Sequence, residues 1–284
     1  MTRLPQVPAS MSSGLLGYMS RLLCLSLLML GFLPGLTGCA GSAPNATTMA
    51  EDIVTDSDEP EARKRARIRL ELALGYFDKG QTTVALDEVK QALAVDPAYA
   101  QAYNLRGLIY LKLDDFRLAE DSLRRAVALN ARDADAIHNL GWLQCQQGRY
   151  AESQQSFNRA LSTPAYGGRA KTWLTQGLCQ IRAGQPREAE ASLLKAYELD
   201  AANPVTGFNL ANLLWQRGEL ARAQFYIRRL NNSESANSES LWLAIKIERS
   251  LGNFDEMRQL GTQLSRRFAQ SREAIAYERG SFHE

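Results

Sequence analysis

The chain has 284 residues, 45% of them hydrophobic and 23% charged, a soluble globular composition with room for one or two domains. With 33 Lys and Arg against 31 Asp and Glu its formal net charge is +2, so it lacks the concentrated basic surface that displaces counterions from nucleic acid. Two histidines and four cysteines, without CxxC, HExxH, a phosphate-binding glycine loop or a nucleophile elbow, leave no catalytic or metal constellation, and an enzyme is not expected.

The first forty residues stand apart. Arg3 and Arg21 precede an apolar run, Leu22 to Leu33, that is too short to span a membrane and reads as a signal sequence. Pro34 and Gly35 break it, and it ends in Leu36-Thr37-Gly38-Cys39. That ending resembles the lipobox of bacterial lipoproteins, where small residues let the peptidase reach the bond before a cysteine. The resemblance implies removal of 1–38 and a diacylglycerol on the Cys39 thiol, with no other cofactor. Each buried acyl methylene contributes about 0.8 kcal/mol, so several chains anchor a protein durably. Ala40 follows the cysteine where inner-membrane lipoproteins commonly carry Asp, which favours the periplasmic face of the outer membrane. Without Arg3 and Arg21 the mature chain would carry 31 basic and 31 acidic residues and be formally neutral.

Residues 39–62 are small and polar, then acidic, with no amphipathic period, and should form a lipidated flexible tether reaching a few tens of ångströms, from about 5 to 6 Å times the square root of its length. The basic cluster Arg63, Lys64, Arg65, Arg67 and Arg69 is expected on a solvated first helix.

From residue 63 to 272 the chain repeats itself. One column of mostly small residues is Ala85, Ala119, Ser153, Ala189, Ala223 and Met257, and a turn column is Gly80, Asp114, Gly148, Gly184, Gly218 and Gly252; both advance by 34, 34, 36, 34 and 34. The period and the residue types resemble tetratricopeptide repeats, which implies an all-α, right-handed superhelical solenoid of six helix-turn-helix units. The units are about 66–99, 100–133, 134–169, 170–203, 204–237 and 238–271. Where helix A crosses helix B the chain places Ala73, Gly107, Gly141, Gly177 and Ala211 against Val89, Leu123, Phe157, Leu193 and Ile227, and Ile245 departs from the small column. The two extra residues are expected in the loop Ser162 to Gly168. Asp96-Pro97 and Asn203-Pro204 each suggest a capped helix start with proline at the first helical position. Residues 231–238 should be a second polar connection, and 273–284 a short helix capping the last repeat, followed by a frayed end. Cys145 and Cys179 lie one repeat apart but at different repeat positions, 12 and 10, and are expected to stay separate.

In such a solenoid the inner surface comes mainly from positions 2, 5, 9 and 12 of each helix A. Those positions supply Leu74 and Phe77 from repeat one, Asn104, Leu108 and Leu111 from repeat two, and His138 and Trp142 from repeat three. Leu178 from repeat four, Phe208, Asn212 and Trp215 from repeat five, and Trp242 from repeat six complete the candidate partner-binding groove. It is unusually apolar, so its expected ligand is an apolar or amphipathic segment. His138 is expected as a surface histidine on the concave side.

The segments LGYFDKGQTTVALDEVKQALAVDPAYAQAY, RYAES and LGTQLSRRF, with the lipobox and the insertion after repeat three, resemble the pilotins, type IV pilus biogenesis lipoproteins of the PilF/PilW type. The resemblance covers about residues 63–271. It implies an outer-membrane protein, a monomer, that binds the secretin subunit of the type IV pilus and promotes its targeting and multimerisation. The alternative is a lipoprotein adaptor of outer-membrane β-barrel assembly or of peptidoglycan synthesis.

Overall fold

The computed structural model describes residues 58–282. The signal segment, Cys39, most of the tether and His283 lie outside the described residues. Among the described residues there are thirteen helices and no strand. Six antiparallel pairs follow in order: α1 (Glu61–Asp78) with α2 (Thr82–Val95), α3 (Ala100–Lys112) with α4 (Phe116–Leu129), and α5 (Ala134–Gln146) with α6 (Tyr150–Leu161). Then come α7 (Arg169–Arg182) with α8 (Pro186–Leu199), α9 (Pro204–Gln216) with α10 (Leu220–Asn231), α11 (Ser238–Leu251) with α12 (Phe254–Arg267), and last the short α13 (Arg272–Glu278). Each of the twelve paired helices packs most extensively on its pair mate and then on its neighbour along the chain, the connectivity of a solenoid.

The turn column explains why the pairs are so alike. Gly80, Gly148, Gly184, Gly218 and Gly252 all sit at φ between 69° and 76°, and Asp114 takes the same left-handed place at φ 58°. That conformation reverses the chain after helix A and lets the following amide reach back, as when Arg149 N–H donates to Gln144 O at 2.9 Å and Glu219 N–H to Leu214 O at 2.9 Å. The residue making that bond is also the N-cap of helix B, so one short turn ends one helix and starts the next.

Packing within pairs follows the small and large columns. A methyl group added at Gly107 would lie 2.5 Å from Leu123 Cγ, at Gly177 2.8 Å from Leu193 Cγ, and at Gly141 3.0 Å from the Phe157 ring. Leu123, Phe157 and Leu193 are fully buried, so a side chain there would have no room to give.

Several details differ from the sequence reading. α1 begins at Glu61, so the last two residues of the expected tether are helical. The basic cluster on it is paired: Arg67 with Glu59 and Glu71, Arg69 with Glu88, and Arg63 with Asp96. Asp96 does not start a helix. It ends α2, accepts from Ala98 N–H at 3.0 Å in a local turn, and α3 starts three residues beyond Pro97. Asn203 behaves as expected, its Oδ1 accepting from Val205 and Thr206 N–H in front of Pro204. The extra residues fall in the loop between α6 and α7, where Tyr166 turns inward and Ala165 takes a positive φ of 54°.

Cys145 and Cys179 are joined by a disulfide, with their Cα atoms 5.9 Å apart, and are not the separate thiols expected. Repeat position misleads here because neighbouring A helices meet with an axial offset. α5 and α7 are shifted by two positions, about 3 Å at 1.5 Å per residue. The same offset brings His138 to Thr172, one heptad before the cysteines and also 34 residues apart.

The described residues after α13 fold back on the last repeat. Beyond α13, Gly280 adopts φ 67° and Phe282 folds back to stack on Trp242, with ring centroids 5.5 Å apart.

Candidate functional site

The A helices α3, α5 and α7, with the end of α1, enclose an open groove of about 470 Å³. Helical spacing builds it: Leu108 and Leu111 lie one turn apart on α3, His138 and Trp142 one turn apart on α5, and Thr175 and Leu178 on α7. Phe77 closes one end. Six of the residues expected at a partner site, Phe77, Leu108, Leu111, His138, Trp142 and Leu178, are thus brought together.

The groove is floored by apolar side chains and edged by cations. Lys112 and Lys171 line it, and no carboxylate does. Arg182 lies over the Trp142 ring at 4.9 Å and donates from Nη1 to Gln146 Oε1 at 2.8 Å, which fixes both the indole and the amide. The lysines were legible only in part: Lys171 occupies position 2 of repeat four. Lys112 and Gln146 come from position 13, and Asn139 and Thr175 from position 6, positions that the inner-surface rule leaves out.

His138 is buried, 2% exposed, and is not the surface histidine expected. Its Nδ1 lies 2.9 Å from Thr172 Oγ1, which is 3.0 Å from Tyr166 Oη, and the Tyr166 hydroxyl donates to Asp135 Oδ1 at 3.3 Å. Burial, with a smaller contribution from the charge of Lys171, lowers the His138 pKa to about 3, so the imidazole is neutral at physiological pH. Burial raises Tyr166 to about 12. This polar chain ties the inserted loop to α5 and α7 and sets the back wall of the groove.

The other expected contact residues lie elsewhere. Asn104 accepts from Asn139 Nδ2 at 2.9 Å and so braces the wall. Leu74 is 43% exposed and outside the lining, while Phe208 packs on the core of repeats four to six. Asn212 is half-buried and is not among the groove residues. Trp215 lines a separate small cleft with Lys246, Arg249, Ser250 and Phe282. Trp242 is covered by Phe282 and only 7% exposed, so as an anchor it has little open face. Among the described residues no group of three or more His, Cys, Asp and Glu is placed to hold a metal ion.

A solenoid of paired helices with a left-handed turn in every unit and an apolar groove across its A helices has the fold of tetratricopeptide repeats. The family described as TPR repeat matches residues 74–114, and the one described as Tetratricopeptide repeat matches 106–170 and 138–204. Over 84% of its length and 92% of the relative's, the chain is 28% identical to the type IV pilus assembly protein PilF of Pseudomonas aeruginosa. A solved structure of Pseudomonas aeruginosa PilF superposes with a TM-score of 0.69 at 25% identity, covering 78% of this chain and 100% of that one. The crystal structure of PilW, a type IV pilus biogenesis factor, gives the same TM-score of 0.69 at 28% identity, over 75% of this chain and 97% of that one.

Proposed function

We propose that this chain acts in type IV pilus biogenesis as a pilotin, an outer-membrane lipoprotein that binds the pilus secretin subunit and promotes its targeting and multimerisation. The observation that carries the reading is the likeness to PilF, which extends over 84% of this chain and 92% of that one instead of a few shared repeats. The lipobox ending at Cys39 supplies the membrane address. The groove around Trp142 supplies the grip, for an apolar segment lying between Lys112 and Lys171. Concentrating subunits at a surface raises their effective concentration and favours assembly without any new contact. The Cys145–Cys179 bridge supports a compartment outside the reducing cytosol, as this reading requires.

Affinity capture from detergent-solubilised membranes tests the partner. Secretin subunits should copurify with the wild-type chain and be lost with Trp142→Ala. Recovery of β-barrel assembly or cell-wall synthesis proteins without secretin would overturn the reading in favour of another envelope adaptor. Cys39→Ser should release the chain from membrane fractions, whereas retention there would show that the lipobox had been misread.

A further inference from the structure

Several basic side chains on the last repeats are matched by carboxylates. Arg217 and Arg222 pair with Glu190, and Arg228 reaches the buried carboxylate of Glu248. Lys246 and Arg249, on one face of α11, differ in sharing one cleft. Among the described residues neither has a carboxylate partner; the Lys246 ammonium faces the rings of Trp215 at 4.8 Å and Trp242 at 5.6 Å, and the Arg249 guanidinium faces Phe282 at 4.2 Å. Both line one cleft of about 290 Å³, walled by Trp215 and Phe282.

We propose that this cleft binds a carboxylate carried by an apolar peptide segment, the anion lying between Lys246 and Arg249 and the neighbouring apolar group against Trp215 and Phe282. Ring faces hold a cation in place but accept none of its hydrogen bonds, so the ammonium and the guanidinium keep their N–H groups available. Lys246 is half-buried, and an ammonium drawn partly out of water gains more from an anion than one on an open surface. Burial also holds its pKa below the ordinary lysine value. A carboxylate fits better than a phosphate. The other polar lining groups are already engaged, the Ser250 hydroxyl donating to Lys246 O at 2.8 Å and the Trp215 indole N–H to Ser250 Oγ at 3.4 Å, leaving two side chains for two oxygens where a phosphate would present three. The small volume and the two rings limit the ligand to one carboxylate with one apolar neighbour. The assignment concerns a different cleft from the groove at Trp142 and stands without the pilus reading.

The test uses the purified full chain and three short peptides sharing one apolar sequence: one with a free C-terminal carboxylate, one with a C-terminal amide, and one amidated but with a Glu in the last position. Binding is followed by calorimetry and by the Trp215 indole N–H resonance. At least one carboxylate peptide should bind at least tenfold more tightly than the plain amide, and should shift that resonance. The comparison of the two carboxylate peptides assigns the group to a chain terminus or to a side chain. Lys246→Met and Arg249→Gln, each checked for an unchanged unfolding temperature, should each weaken the preferred peptide at least tenfold, and Trp142→Ala should leave it unchanged. Equal binding of all three peptides, binding indifferent to both substitutions, or complete displacement by equimolar inorganic phosphate would overturn the proposal.

Discussion

Ile245 and Gly261 exchange sizes relative to every earlier repeat. In the first five units helix A carries the small residue and helix B the large one sixteen positions later, whereas in the sixth the large Ile245 stands on α11 and the glycine on α12. The reason lies sixteen positions further on, where Tyr277 of α13 lies so close to Gly261 that a methyl group there would overlap its ring. α12 and α13 thus reproduce the small-on-large contact of a normal pair, and Ile245, fully buried, fills the space beneath. Gly261→Ala should destabilise the fold by about 1–3 kcal/mol through overpacking. Tyr277→Ala in the same chain should recover part of that loss, a non-additivity measurable in a double-mutant cycle by urea unfolding.

Asp114 is the one non-glycine in the turn column and sits at φ 58°. Its Cβ crowds the backbone in that conformation, although aspartate tolerates it better than most residues. Asp114→Gly should therefore raise stability, by up to about 1 kcal/mol, once the greater freedom of glycine in the unfolded chain is set against the relieved strain. Thermal unfolding of the two chains would register a rise of a few degrees or less.

The pKa of His138 is about 3 in the fold against the model-peptide value of 6.5, so the unfolded chain binds the proton more tightly between those values. The contribution of the neutral imidazole to stability is complete above about pH 6.5 and declines below it by up to about 1.4 kcal/mol per pH unit until about pH 3. Replacing His138 by Gln removes this titration. Between pH 7 and pH 4.5 the wild type should lose about 2–3 kcal/mol more than the variant in urea unfolding, and parallel losses would show that the imidazole is not held neutral.

The Cys145–Cys179 bridge closes a loop of 34 residues in the unfolded chain. Chain-entropy arguments give about 3–4 kcal/mol for a loop of that length. Reduction, or the Cys145→Ser and Cys179→Ser pair, should lower the denaturation midpoint accordingly while leaving the helical content of the folded state unchanged by circular dichroism.

Trp142 is half-buried at the groove with Arg182 over its ring. Trp142→Ala should weaken partner capture by about 2 kcal/mol or more, as truncating a central aromatic anchor does. A fall in unfolding temperature large enough to account for the lost binding would point instead to a packing role.

The elements most legible in the sequence are those that recur. The left-handed turns and the small-on-large crossings are local consequences of one 34-residue unit, so columns of residues reveal them without knowledge of how units stack. Six of the expected groove residues share the same origin, since position along helix A fixes which face they occupy. Contacts between units were harder to foresee. The disulfide depends on the axial offset of α5 against α7, which shares its origin with no sequence column, and half of the basic edge of the groove, Lys112, comes from position 13, which the inner-surface rule leaves out. The cover over Trp242 was hidden for a related reason: a residue forty positions away, Phe282, returns to stack on it.

The cross-link at Cys145 and Cys179 also decides how the array comes apart. In a chain of units that touch only their neighbours, unravelling starts at the termini and passes inward one interface at a time. Here the interface between α5 and α7 cannot be opened in that way, because the two middle units are one covalent piece. Melting from either end therefore arrives at a core that must yield as a whole, and Trp142 and Leu178, which line the groove from the two cross-linked helices, belong to the last part of the protein to lose its shape.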